Sequence, residues 1–261
     1  MKKLSVALSV VAGAALLLGT AGCSPTEKPS EGSAAEEIQQ PIQMGVINNN
    51  PPFEFEEDGE LTGFDVALVE AVLEAENLKG EWRVMEFAGL IPAIQGGQID
   101  IAVSHVSITE ERAKVVDFTD AYFVDGQSVA VAPDSGIETL EDLKGKTIVA
   151  TQGSVGQIAA NETAEKYGAT VQNVGKTDQL WLAVTSGQAD AFVLETSAIK
   201  FRVSGEGEAP SVRILEPPVF EAPIAIAAAK GNDALVKRLN AGIEKIREDG
   251  TYDELVARFL D

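Results

Sequence analysis

The 261-residue chain has one cysteine and one histidine, and only 20 lysines and arginines stand against 41 aspartates and glutamates, a formal charge of −21. A lone cysteine, Cys23, excludes an internal disulfide. A lone histidine, His105, leaves no Ser-His-Asp or Cys-His arrangement, and no residues have metal-ligand spacing, so neither a catalytic triad nor a metal or cofactor is expected. His105 itself reads as a satisfied polar residue more readily than as a base. Scarce bases argue against nucleic acid, whose phosphates need cationic partners, and against lying on anionic lipid by charge. Nor is any apolar run long enough for a bilayer: Leu4–Leu18 offers about 15 residues where about 20 are needed, and no later segment approaches that.

What stands at the N-terminus is an export signal: Lys2 and Lys3, the short apolar run, then small residues Gly19, Ala21 and Gly22. Thr20-Ala21-Gly22-Cys23 resembles a bacterial lipobox, in which the thiol receives diacylglycerol. Residues 1–22 are therefore expected to be a lipoprotein signal peptide, Cys23 the lipidated residue of the mature chain, and 23–41 a flexible tether rich in Ser, Pro, Glu, Lys and Gly. Removing 1–22 takes two lysines and no acid, leaving 18 bases against 41 acids, or −23. The acidity reads as a surface that keeps the protein soluble. Glu54, Glu56, Glu57, Asp58 and Glu60 are expected on a solvated hairpin turning at Asp58-Gly59.

From Met44 onward strands alternate with helices. Strands are expected at Met44–Ile47, Ile99–Val103, Thr147–Thr151, Thr170–Val174, Ala191–Leu194, near Val212 and at Ile224–Ala228. Helices are expected over Gly63–Leu78, Phe87–Ile94, Ser154–Tyr167, Thr177–Ser186, Ala234–Arg247 and Tyr252–Leu260. The order predicts an α/β fold of mostly parallel sheets with helices on both faces. One segment repeats in kind: Ala93-Ile-Gln-Gly-Gly-Gln-Ile-Asp100-Ile and, 90 positions on, Ala183-Val-Thr-Ser-Gly-Gln-Ala-Asp190-Ala. That echo predicts two similar lobes, with Asp100 and Asp190 as turn or capping acids.

Ligands of open α/β sheets sit beyond the carboxyl ends of the strands. Those ends carry Ser104–Ser107 in one half and Glu195-Thr196 in the other. Thr109 is an N-cap candidate for a turn holding Arg112, whose planar fork matches a carboxylate; its place alone fits a surface ion pair as well. Thr151-Gln-Gly153-Ser154-Val155 opens a helix, where free N–H groups attract an anion, or is a plain strand-to-helix turn. Glu195 is either an acceptor for an ammonium group or a hydrogen-bonded rim acid.

Several ordered segments resemble family 3 of the bacterial extracellular solute-binding proteins, the polar amino-acid receptors of ABC importers. They include Asn50-Pro-Pro-Phe-Glu-Phe55, Leu61-Thr-Gly-Phe-Asp-Val66, Ser107-Ile-Thr-Glu-Glu-Arg112, Val116-Asp-Phe-Thr-Asp-Ala-Tyr122 and Asp249-Gly-Thr-Tyr-Asp-Glu-Leu255. The resemblance implies a periplasmic-binding-protein type II-like clamshell of two α/β lobes joined by two hinge strands. Lobe 1 would be 42–124 and 223–261, lobe 2 126–220, with hinges near Val124–Gly126 and Phe220–Ala222. It implies that a free amino acid's carboxylate pairs with Arg112 and backbone donors at Ser154 and Val155. Phe87 would pack over the ligand, Ser107 would support it, and Glu195 would take the ammonium. Departures from the family pattern are Glu195 for an aspartate, Asn50 for an aromatic, Ile47 for the acid of basic-amino-acid receptors, and His105 for a small residue at the cleft edge. The implied partners are an ABC permease and its ATPase, with the protein a monomer, lipid-anchored on the extracytoplasmic face. Polar or uncharged ligand side chains are favoured. The alternatives are a cyclohexadienyl dehydratase acting on prephenate or arogenate, with Glu195 and His105 as acids, and a ligand-sensing partner of a signalling kinase.

Overall fold

A computed structural model of the protein describes residues 38, 41–205 and 210–260. The signal segment, Cys23 and nearly all of the tether lie outside the described residues. In chain order the elements are β1 (Ile42–Val46), β2 (Asn49–Asn50), β3 (Glu54–Glu57), β4 (Glu60–Thr62), α1 (Phe64–Ala75), β5 (Gly80–Val84), α2 (Phe87–Gln95), β6 (Ile101–Ala102), α3 (Glu110–Ala113) and β7 (Val116–Phe118). Next come β8 (Phe123–Val131), β9 (Thr147–Thr151), α4 (Val155–Tyr167), β10 (Thr170–Val174), α5 (Thr177–Thr185), β11 (Ala191–Glu195), α6 (Thr196–Ser204) and β12 (Arg213–Ile224). The chain closes with β13 (Ala227–Ala229), α7 (Asp233–Glu248) and α8 (Thr251–Phe259).

Two five-stranded sheets result, in the orders β5-β1-β6-β13-β7 and β10-β9-β11-β8-β12. In each, three parallel strands are followed by one that runs antiparallel to both of its neighbours. The sheets are thus mixed. The reversed strands, β13 and β8, are those the chain enters directly from the opposite sheet, without the helical crossover that keeps neighbours parallel.

Each sheet is buried on both faces, as strands wrapped by helices must be. In the second sheet Ile148 and Ala150 pack with Ala159, Ala160 and Ala164 of α4, while Val149 between them joins Leu180 and Trp181 of α5. In the first, Leu68, Val69 and Val72 of α1 cover one face and Leu90, Ala93 and Ile94 of α2 the other. Each such large side chain contributes about 1.5–3 kcal/mol through burial, more than any surface ion pair of the molecule.

The sequence echo is reproduced bond for bond. Gly97 (φ 67°) and Gly187 (φ 72°) end helices α2 and α5 in the left-handed region. The N–H groups of Gln98 and Gln188 then donate to the carbonyls of Ala93 and Ala183 at 2.9 and 2.8 Å. Asp100 accepts the Gln43 N–H (2.7 Å) and Asp190 the Thr147 N–H (2.9 Å), so each acid, standing just before its own strand, ties down the start of the neighbouring parallel strand, β1 or β9.

The two halves are joined by β8 and β12, which pair antiparallel from Phe123↔Ile224 to Gln127↔Phe220 and again, beyond an irregularity, at Leu215↔Val129. Pro217, Pro218 and Pro223 hide β12 from a propensity reading. It is an edge strand, and Pro217 and Pro218 sit in its irregularity, where a missing N–H costs no ladder bond. The polar edge strand β5 is hidden because its residues are mostly exposed. Ser154, expected to start a helix, is the N-cap of α4: its hydroxyl accepts the Gln157 N–H at 3.1 Å. The hairpin expectation holds for Glu56, Glu57, Asp58 and Glu60, which are exposed, and fails for Glu54, which is fully buried. β3 runs inward, and only its far end reaches solvent.

Candidate functional site

The carboxyl ends of β1, β6, β9 and β11 converge on a cleft between the two sheets. Its walls include Ile47, Asn50, Phe87 and Ser104 from the first half and Gln127, Thr151, Ser154, Gly156, Thr177 and Glu195 from the second half and the crossing strand. Beyond Thr151 and Thr177 it continues into an opening lined by Asn48, Asn49, Glu86 and Lys176.

Arg112 is placed by a local device. Thr109 caps α3 by accepting the Arg112 N–H at 3.2 Å. The guanidinium then turns inward, donating to the Ser107 carbonyl at 2.7 Å and, across the cleft, to the Gly153 carbonyl at 3.0 Å. It lies 5.4 Å from the centre of the Phe87 ring. Arg112 is a buried cation rather than a surface ion-pair partner; burial lowers its pKa to about 10 even though Glu195 acts the other way. Gly153 (φ 78°) lets the second half approach closely, since a Cβ there would stand 3.2 Å from Ala88 Cα of α2.

Ser154 is committed locally: its hydroxyl donates to the Thr151 carbonyl (2.8 Å) and its N–H to the same oxygen (3.2 Å). The Gly153 N–H donates to Gln157 Oε1 at 2.7 Å. The N–H groups at the start of α4 therefore begin with Val155, the first position that lacks an intrahelical acceptor. Thr151 Oγ1 and Asn50 Oδ1 are buried without a hydrogen-bond partner, while Asn50 Nδ2 donates to Glu54 at 3.3 Å. Ser107 is buried and bridges to Ile224.

Glu195 ends β11 with one oxygen 3.4 Å from Gln127 Nε2 and the other buried without a partner. Burial raises its pKa, an effect opposed by the charge of His105 and the Gln127 donor. His105, the residue after Ser104, is 2% exposed. Its side chain is buried, stacked on Phe53 with ring centroids 3.6 Å apart, between Asp65 and Asp125.

Three buried acids carry weight here that sequence reasoning missed: Glu54, Asp65 and Asp125. Asp65 left a signal, because it precedes Leu68, Val69 and Val72 by three, four and seven positions and so lies on the buried face of α1. Glu54 is held well above the usual carboxylate range, first by burial and then by Asp65, with the Asn50 donor opposing.

Residues 42–261 match the bacterial extracellular solute-binding proteins, family 3, and the chain belongs to that family. The ABC transporter glutamine-binding protein GlnH of Bacillus subtilis (strain 168) is 32% identical over 250 residues, covering 93% of this chain and 89% of that protein. An ancestral arginine-binding protein solved with arginine is 34% identical, with a TM-score of 0.78, covering 84% of this chain and 98% of that one. An ancestral amino acid-binding protein described as a precursor of cyclohexadienyl dehydratase is 30% identical at a TM-score of 0.76, covering 84% of this chain and 95% of that one. These similarities place the protein among type II periplasmic amino-acid-binding proteins with a two-lobed α/β fold. Among the described residues no helix is long and apolar enough to cross a membrane.

Proposed function

We propose that the protein is the extracytoplasmic receptor of an ABC importer and captures one free L-α-amino acid between lobes 42–124 plus 223–261 and 126–220. The observation that carries this is a buried guanidinium, Arg112, and a part-buried carboxylate of opposite charge, Glu195, close enough to act on each other, with one Glu195 oxygen left unpartnered. Arg112 and the Val155 end of α4 would take the ligand carboxylate, which is the chemistry of a guanidinium fork beside a helix start. Glu195 would take the ammonium, Phe87 would cover the ligand, and Ser107, Asn50, Thr151 and the Gly153–Ser154 turn would complete the wall. Ligand contacts to both lobes favour the closed arrangement. A lipid on Cys23 would tether the receptor beside its permease and ATPase.

Polar or uncharged side chains suit the cleft because Ile47 and Asn50, neither of them charged, line its wall. Calorimetry with the common amino acids is the test. Binding by none of them would overturn the receptor reading, whereas tightest binding by arginine or lysine would overturn only the side-chain preference. The relatives above are binding proteins, which favours the receptor over the enzyme alternative.

A further inference from the structure

His105 is the single histidine of the chain and adopts a left-handed backbone, φ 48°. The other described non-glycine residues with positive φ, Asp58 and Asn77, sit in exposed turns, whereas His105 is 2% exposed. A left-handed backbone strains any residue with a Cβ, a cost that glycine would avoid. Such strain deep in a structure points to work done by the side chain.

The contacts say what that work is. The His105 N–H donates to Asp65 Oδ2 of α1. Its Nδ1 lies 3.6 Å from Asp65 Oδ1 and its Nε2 3.3 Å from Asp125 Oδ2 on β8. Asp125 in turn accepts from the Gly126 N–H at 2.7 Å and from the hydroxyl of Ser197 on α6, two residues after Glu195. A continuous chain of contacts thus runs from α1 in the first half, through His105 and the crossing strand, to the helix that starts at Glu195.

We propose that His105 is a positioning residue: as an imidazolium it clamps β8 to the first lobe and, through Asp125 and Ser197, holds Glu195 in place for a ligand ammonium. A neutral imidazole would leave the buried Asp65 and Asp125 without the cation that lies between them, an arrangement that burial penalises. The groups facing the ring are Asp65 from α1, Asp125 from β8 and Glu195 from β11, with Glu54 of β3 and the Tyr122 hydroxyl facing Asp65 from behind. Burial alone would lower the imidazole pKa; Asp125 and Asp65, helped by Glu195, outweigh it and raise it from 6.5 to about 9. A raised folded-state pKa contributes stability that is complete below 6.5 and lost as pH rises through about 9.

The role in binding rests on the amino-acid reading above; the clamp itself does not. In tag-free protein the sole histidine gives one Cε1–H resonance, so its titration can be followed directly by NMR. The expected midpoint is near 9, and Asp125→Asn should lower it by about one unit or more, one unit being tenfold in the proton equilibrium. A midpoint at or below 6.5, or one unmoved by Asp125→Asn, overturns the clamp. His105→Asn, whose new side chain tolerates left-handed φ, should bind the amino acid about tenfold more weakly near neutrality. That gap should close as pH passes about 9, because the wild-type imidazole is then neutral too. A gap that is absent, or constant with pH, overturns the link to Glu195. If no amino acid binds, the titration still decides the clamp while the ligand reading fails alone.

Discussion

Gly153→Ala separates the cost of a strained backbone from the cost of obstructing closure. Gly153 has φ 78°, and a Cβ on it would meet Ala88 Cα at 3.2 Å and Ala88 Cβ at 3.3 Å, across the cleft. The left-handed conformation costs about 1–2 kcal/mol with any L side chain and acts whether the lobes are open or closed. The contact with Ala88 acts only when they are closed. Ala88 sits in the backbone of α2 and cannot swing aside, so the lobes must part by a few tenths of an ångström, an overpacking cost of about 1–3 kcal/mol. That converts to a dissociation constant raised about 5- to 150-fold. The matched control is Gly187→Ala: Gly187 has φ 72° in the echoed turn and nothing within 4 Å of its Cβ position. Both variants should melt a few degrees lower, roughly 2–4 °C per kcal/mol for a body of this size. Only Gly153→Ala should weaken amino-acid binding by calorimetry. Equal affinities for the two variants would refute the claim that Gly153 is there for closure.

Arg112→Ala removes a buried cation that donates to both halves of the cleft; it should cost about 2–5 kcal/mol of ligand affinity, and wild-type affinity by calorimetry would move the carboxylate site elsewhere. Glu54→Gln should stabilise the protein above pH 4.5, the unfolded value, because a raised folded pKa makes the native acid lose stability as pH climbs. Melting curves at rising pH should show that gain growing; equal curves would refute it. Asp117 is held below 3.8 by Lys230 and the Gly231 N–H, so its contribution is present above 3.8 and lost as pH falls through the depressed value. Asp117→Asn should therefore destabilise at neutral pH and converge with wild type in acid, and a constant difference in melting temperature would contradict this.

Much of the site was legible in the sequence because its signals are local. A threonine three residues before Arg112 fixes a cap, and the cap turns the guanidinium inward. The echo around Asp100 and Asp190 encodes a helix end, a left-handed glycine and a strand-capping carboxylate, all within nine residues of chain. The same locality misled at β12, whose prolines conceal an edge strand.

What the sequence alone determined was an α/β body with two similar halves and a cleft at matched strand ends, with Arg112 and Glu195 as its charged candidates. Periodicity and capping specify which face of an element is buried, and chain order specifies where each strand ends. The tertiary structure decided the rest: that Glu54 lies inside a hairpin otherwise in solvent, that Asp65 and Asp125 converge on one ring, and that this ring, His105, is buried against Phe53. Those outcomes depend on separate elements of the chain meeting in the buried interior. There the charge of each group is set by its neighbours in the fold, and neighbours in the chain say little about it.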